Sequence, residues 1–120
     1  MKRILVVEDS KSDQLLISGL LKTLGAEVIT VDNGEAALAW LAENPSPDLI
    51  FLDIVMPDIS GYDLCRTIRT TLENVPIVFC STKNEEYDKF WALRQGGNAY
   101  LTKPYSPSDL VKTAKGYLTS

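Results

Sequence analysis

Four apolar runs in this 120-residue chain each end in a group that can do chemistry. Ile4-Leu5-Val6-Val7 leads into Glu8 and Asp9, and Leu49-Ile50-Phe51-Leu52 into Asp53. Ile77-Val78-Phe79-Cys80 leads into Ser81, and Tyr100-Leu101-Thr102 into Lys103-Pro104. If the runs are parallel strands of one sheet, three carboxylates, a hydroxyl and an amine gather at its carboxyl edge, where open α/β sheets bind ligands. Three acids at close range need a cation, and oxygen ligands suit a hard one, Mg²⁺ above all. With a cation beside it, Asp53 stays ionised and can act as a nucleophile toward phosphorus, since carboxylates form acyl phosphates. Ser81 could bond a phosphoryl oxygen, and Lys103 could pair first with a carboxylate and then with phosphate. Each residue also has an ordinary reading. Glu8-Asp9 suits a helix N-terminus, Asp53 and Ser81 suit turns, and Lys103 suits a surface.

The elements that must position these groups alternate regularly. Strands are expected near 3–8, 27–31, 48–53, 76–81 and 98–102. Helices are expected near 11–24, 34–43, 61–72, 84–95 and 107–118. The first, third and fourth strands are nearly continuous apolar runs, as parallel strands covered on both faces require. The first helix is expected to bury Leu15, Leu16, Leu20, Leu21 and Leu24 and to stop at Gly25. In the fourth, Phe90 and Leu93 are expected to pack on the sheet, leaving Tyr87 and Trp91, one turn apart, partly exposed. Such alternation implies right-handed crossovers and an α/β sheet with helices on both faces.

Composition agrees with a single domain over 1–120, with no room for an output domain. The chain is 45% hydrophobic and 23% charged, with net charge −4. No basic face suggests a direct nucleic-acid partner, and no apolar run reaches the ~18–20 residues of a membrane span. The start becomes acidic too early for a signal peptide, so a cytoplasmic location is expected. The absence of histidine excludes a phosphohistidine or His-ligated metal within the chain. Cys65 and Cys80 match no zinc or redox spacing, and Cys80 reads as a core residue.

Over essentially its full length the sequence resembles the CheY-like receiver domains of two-component response regulators. The resemblance rests on Ile4-Leu5-Val6-Val7-Glu8-Asp9, Asp48-Leu49-Ile50-Phe51-Leu52-Asp53, Met56-Pro57 with Gly61, Ser81, and Tyr100-Leu101-Thr102-Lys103-Pro104-Tyr105. It implies a flavodoxin-like (βα)5 three-layer sandwich with strand order 2-1-3-4-5. Asp53 would then take a phosphoryl group from the phosphohistidine of a histidine kinase or phosphotransfer protein. Glu8, Asp9, Asp53 and the backbone carbonyl of Val55 would hold Mg²⁺, with Mn²⁺ as a substitute. Ser81 and Lys103 would bind the phosphoryl group, and the Lys103–Pro104 bond would be cis. Tyr100 would be an aromatic switch that turns inward on phosphorylation. The readout to a downstream protein would be the face of helix 4, strand 5 and helix 5, through which receivers also form homodimers.

Ser81-Thr82-Lys83-Asn84 and Asp88 to Gly96 look like the stand-alone receivers of type IV pilus and phototaxis chemosensory systems, which implies a motility or chemotaxis role. Val55 and Lys83, each two residues beyond a site residue, would flank the phosphoryl group and modulate its lifetime. An apolar Val55 cannot orient an attacking water. It also argues against a haloacid-dehalogenase-like phosphotransferase, which carries a second acid at that place. A phospho-acceptor switch, with no chemistry beyond its own phosphorylation and dephosphorylation, is therefore expected rather than an enzyme. A flavin-type cofactor binder is opposed by the charge of Glu8 and Asp9. A receiver-like docking module that is never phosphorylated is the remaining alternative.

Overall fold

A computed structural model describes residues 1–119. Five strands alternate with five helices. They are β1 (Arg3–Val7), α1 (Lys11–Lys22), β2 (Glu27–Val31), α2 (Gly34–Glu43), β3 (Leu49–Leu52), α3 (Gly61–Arg69), β4 (Ile77–Ser81), α4 (Glu86–Arg94), β5 (Ala99–Thr102) and α5 (Pro107–Leu118). All strand pairs are parallel and the order is β2-β1-β3-β4-β5. The expected α/β class and strand order are both observed.

The central strands are buried on both faces, so their alternate residues feed two cores. Leu5, Val7, Ile50, Leu52, Ile77 and Phe79 face Ala37 of α2, Leu64 and Ile68 of α3, and Ala92 of α4. Ile4, Val6, Leu49, Phe51, Val78 and Cys80 face Ile17 and Leu21 of α1 and Leu110 and Ala114 of α5. Each large side chain buried in this way contributes roughly 1.5–3 kcal/mol.

Two helices present faces other than those the apolar pattern suggests. Leu15 and Leu16 of α1 are 76% and 50% exposed, and the buried residues are Gln14, Ile17 and Leu21. The stripe at helical spacing therefore runs through 14, 17 and 21, and a polar residue heads it. In α4, Phe90 and Leu93 are 57% and 50% exposed, against expectation, and only Ala92 is buried. Tyr87 and Trp91 are exposed as expected, with rings stacked 6.2 Å apart. The helix lies at the edge of the sheet beside β5, where one small residue suffices for contact.

Side chains that cap helix N-termini stand between the strand ends and the helices they precede. Ser10 Oγ accepts from the Asp13 N–H, Asn33 Oδ1 from the Ala36 N–H, Ser60 Oγ from the Asp63 N–H and Ser106 Oγ from the Asp109 N–H. Each satisfies an orphan donor and fixes where the helix begins relative to the carboxyl edge. Gly25, at φ +75, ends the α1 segment in the left-handed region that glycine tolerates.

Candidate functional site

Glu8, Asp53 and Lys103 lie one step beyond β1, β3 and β5, Ser81 is the last residue of β4, and the ladder continues far enough to fix them. The Glu8 N–H donates to Val31 O at 3.1 Å, and the Asp53 N–H to Val7 O at 3.1 Å. The Lys103 N–H donates to Ser81 O at 2.8 Å. Backbone positions at the edge are thus held by the neighbouring strand, and only side-chain torsions remain free.

Glu8, Asp9 and Asp53 form a cluster whose ligand oxygens all lie within 4.8 Å of one another. Glu8 is 2% exposed and Asp53 9%, whereas Asp9 faces solvent. Oxygen donors at this spacing, with one side open to water, fit a hard divalent cation that keeps part of its hydration shell. Among the described residues no other group of three or more potential metal ligands occurs.

Lys103 borders the same cluster. Its Nζ lies 2.5 Å from Glu8 Oε1, 3.0 Å from Asp13 Oδ2 and 3.1 Å from Asp53 Oδ2. Burial opposes the ammonium charge, but bonds to Glu8 and Asp13 and the field of Asp53 outweigh it, and the Lys103 pKa stands above its ordinary value. Glu8 is pushed up as well. Burial is the largest cause, and the Lys103 hydrogen bond offsets it only in part. The Lys103–Pro104 peptide bond is cis. A cleft of about 320 Å³ opens beside Lys103, lined by Asp13, Leu16, Thr82, Lys103, Pro104 and Tyr105.

The loop after Asp53 is packed against the start of α3. The Ile54 N–H donates to Asp53 Oδ1 at 2.6 Å, and the Gly61 N–H to Ile54 O at 2.8 Å. A Cβ on Gly61 would stand 2.1 Å from the Asp53 carbonyl oxygen, so glycine is required by close approach. The Val55 N–H lies 3.4 Å from Asp53 Oδ1, and its side chain is largely exposed at the rim.

Ser81 is fully buried, and its Oγ accepts from the Lys83 N–H at 3.3 Å. The Tyr100 ring stacks on Phe79 at 6.3 Å, and its hydroxyl donates to the Lys83 carbonyl at 2.6 Å. Ser81 and Tyr100 therefore both grip the backbone of Lys83, in the loop between β4 and α4. The Lys83 side chain is exposed.

Two residues of the site were not among the sequence candidates. Asp13, at the third position of α1, reaches Lys103; a serine cap followed three residues later by an acid reads as an ordinary capping box. Gln14, buried on the inward stripe of α1, donates to Glu8 O at 2.5 Å and to Asp32 Oδ1 at 2.6 Å. It ties the β1–α1 loop to the end of β2. A polar residue in phase with Ile17 and Leu21 was the available signal.

The family profile described as the response regulator receiver domain matches residues 4–115. The chain belongs to this family. Protein PilH of Pseudomonas aeruginosa is 37% identical over 120 residues, covering 98% of each chain. The chemotaxis response regulator CheY4 of Vibrio cholerae superposes with a TM-score of 0.90 at 31% identity, covering 98% of this chain and 99% of its own. The Mn²⁺-bound response regulator Rcp1 superposes with a TM-score of 0.82 at 35% identity, covering 97% and 91%. Receiver domains are phospho-acceptor switches of two-component systems, not turnover enzymes. No helix among the described residues is long and apolar enough to cross a membrane.

Proposed function

We propose that Asp53 of this receiver is the phosphoryl acceptor and that phosphorylation switches the face formed by α4, β5 and α5. The observation that carries this reading is the ring around Asp53, with Glu8 and Asp9 ligand oxygens within 4.8 Å and the Lys103 ammonium 3.1 Å away, bonded to Glu8 as well. Glu8, Asp9, Asp53 and the Val55 carbonyl would hold Mg²⁺, which when bound neutralises charge on the transferred group. Mn²⁺ would serve in its place, as the Mn²⁺-bound relative suggests.

An Asp53 carboxylate oxygen attacks the phosphorus of a phosphohistidine on a kinase or phosphotransfer protein. The new O–P bond forms as the P–N bond breaks, and the imidazole leaves with the electron pair. Lys103 and the Ser81 hydroxyl take phosphoryl oxygens. Engaging Ser81 Oγ withdraws it from the Lys83 N–H and leaves the Tyr100–Lys83 bond to hold the loop. The ring of Tyr100 stacks on Phe79, and the proposed switch would shift the balance between this packing and another of the same ring. The reading includes a single receiver domain over 1–120, a cytoplasmic location, a pilus-type chemosensory role, supported by the similarity to PilH, and a protein target on α4, supported by its exposed aromatics.

The test is intact mass after incubation with acetyl phosphate. One phosphoryl adduct that needs Mg²⁺ and is absent in Asp53→Asn is expected. A wild type that binds Mg²⁺ but gains no adduct from either acetyl phosphate or a phosphorylated kinase would favour a docking module.

A further inference from the structure

We propose that Asp13 is a positioning residue that keeps the Lys103 ammonium over Asp53 once a divalent cation engages the other carboxylates. The inference rests on the reading of Glu8, Asp9 and Asp53 as a cation site. Lys103 has three carboxylate partners, Glu8, Asp13 and Asp53. Two of them, Glu8 and Asp53, belong to the cluster that would hold the cation, and Asp13 does not. A cation in the cluster claims lone pairs of Glu8 and Asp53 and repels the ammonium. Asp13 is the partner outside that competition.

The rest of the geometry agrees. An acid three residues after a serine cap ordinarily receives the cap's own N–H. Here the Ser10 N–H is taken by Glu8 Oε2 at 3.1 Å, and the Asp13 carboxylate points to Lys103. Asp13 stands on a rigid base, because Ile17 and Leu21 of the same helix are buried and Gln14 is bonded to Glu8 O and Asp32. Neutralisation does not call for it. Glu8, Asp9 and Asp53 already balance one divalent cation and one lysine, and Asp13 leaves the set one charge negative. Its use is therefore directional. It anchors an amine whose side chain is only 11% exposed and which would otherwise be pushed from the site while desolvated.

The ammonium signal of Lys103 in nitrogen-edited NMR, assigned with Lys103→Arg, tests this without any phosphodonor. In wild type a slowly exchanging signal is expected both before and after saturation with Mg²⁺. In Asp13→Asn it is expected without Mg²⁺ and lost with it, and Asp13→Glu should restore it. A signal that survives Mg²⁺ in Asp13→Asn, or disappears with Mg²⁺ in wild type, would overturn the proposal. At saturating Mg²⁺ the rate constant for phosphorylation by acetyl phosphate should fall several-fold in Asp13→Asn, with the half-saturating Mg²⁺ concentration changed less than the rate. An unchanged rate constant would refute the functional role. Because the NMR measurement precedes any phosphorylation, it decides on Asp13 even if Asp53 proves not to be the acceptor.

Discussion

Glu8 is buried beside two other acids, and one lysine does not fully compensate it. A carboxyl whose folded pKa exceeds its unfolded value binds its proton more readily in the folded state. Ionising Glu8 therefore costs stability. The cost is absent below the ordinary value of 4.5 and complete above the raised one. Metal-free Glu8→Gln should accordingly be more stable than wild type at pH 7, with the gap closing as pH falls toward 4. Denaturant titrations at the two pH values would show it, and a variant less stable than wild type at pH 7 would refute it. On the proposed function, Val55 would slow the reverse reaction. Its exposed apolar side chain at the rim gives an attacking water no hydrogen bond. Val55→Asn should shorten the phosphoryl half-life several-fold, and an unchanged half-life would remove Val55 from the account.

Among the elements, the tightest joint is that between the Asp53 loop and α3. Gly61→Ala places a methyl against the Asp53 carbonyl, backbone against backbone, with no flexible end to yield. A loss of about 1–3 kcal/mol is expected, with slower phosphorylation because Asp53 shifts. Wild-type stability in chemical denaturation would contradict this. β1, β3 and β4 were legible in the sequence because a buried parallel strand is apolar throughout, and α1, α2, α3 and α5 start behind Ser or Asn caps. Helix faces were harder. The leucines of α1 outnumber the buried positions, and Gln14 heads the stripe because it serves the β1–α1 loop. In α4, apolar residues surround the helix, so no single face could be read. Asp13 was hidden because a capping acid and a lysine partner look alike in sequence, and only the position of Lys103, ninety residues away, separates them.

At the scale of the molecule, parallel strands bring residues from 8 to 103 to one edge, and capped helices hold that edge in place. On the proposed function, chemistry at Asp53 would reach the outer face by a short route. Ser81 and Tyr100 share the Lys83 backbone, and α4, with Tyr87, Phe90, Trp91 and Leu93 exposed, begins three residues on. The proposed switch depends on Asp53 as the acceptor among three neighbouring acids. Borohydride reduction of the Mg²⁺- and acetyl phosphate-treated protein, followed by peptide mapping, locates an aspartyl phosphate as homoserine. Homoserine at position 53 alone is the expected result. Homoserine at position 9 or 13, 5-hydroxynorvaline (the product from a glutamyl phosphate) at position 8, or no reduced residue, would contradict it.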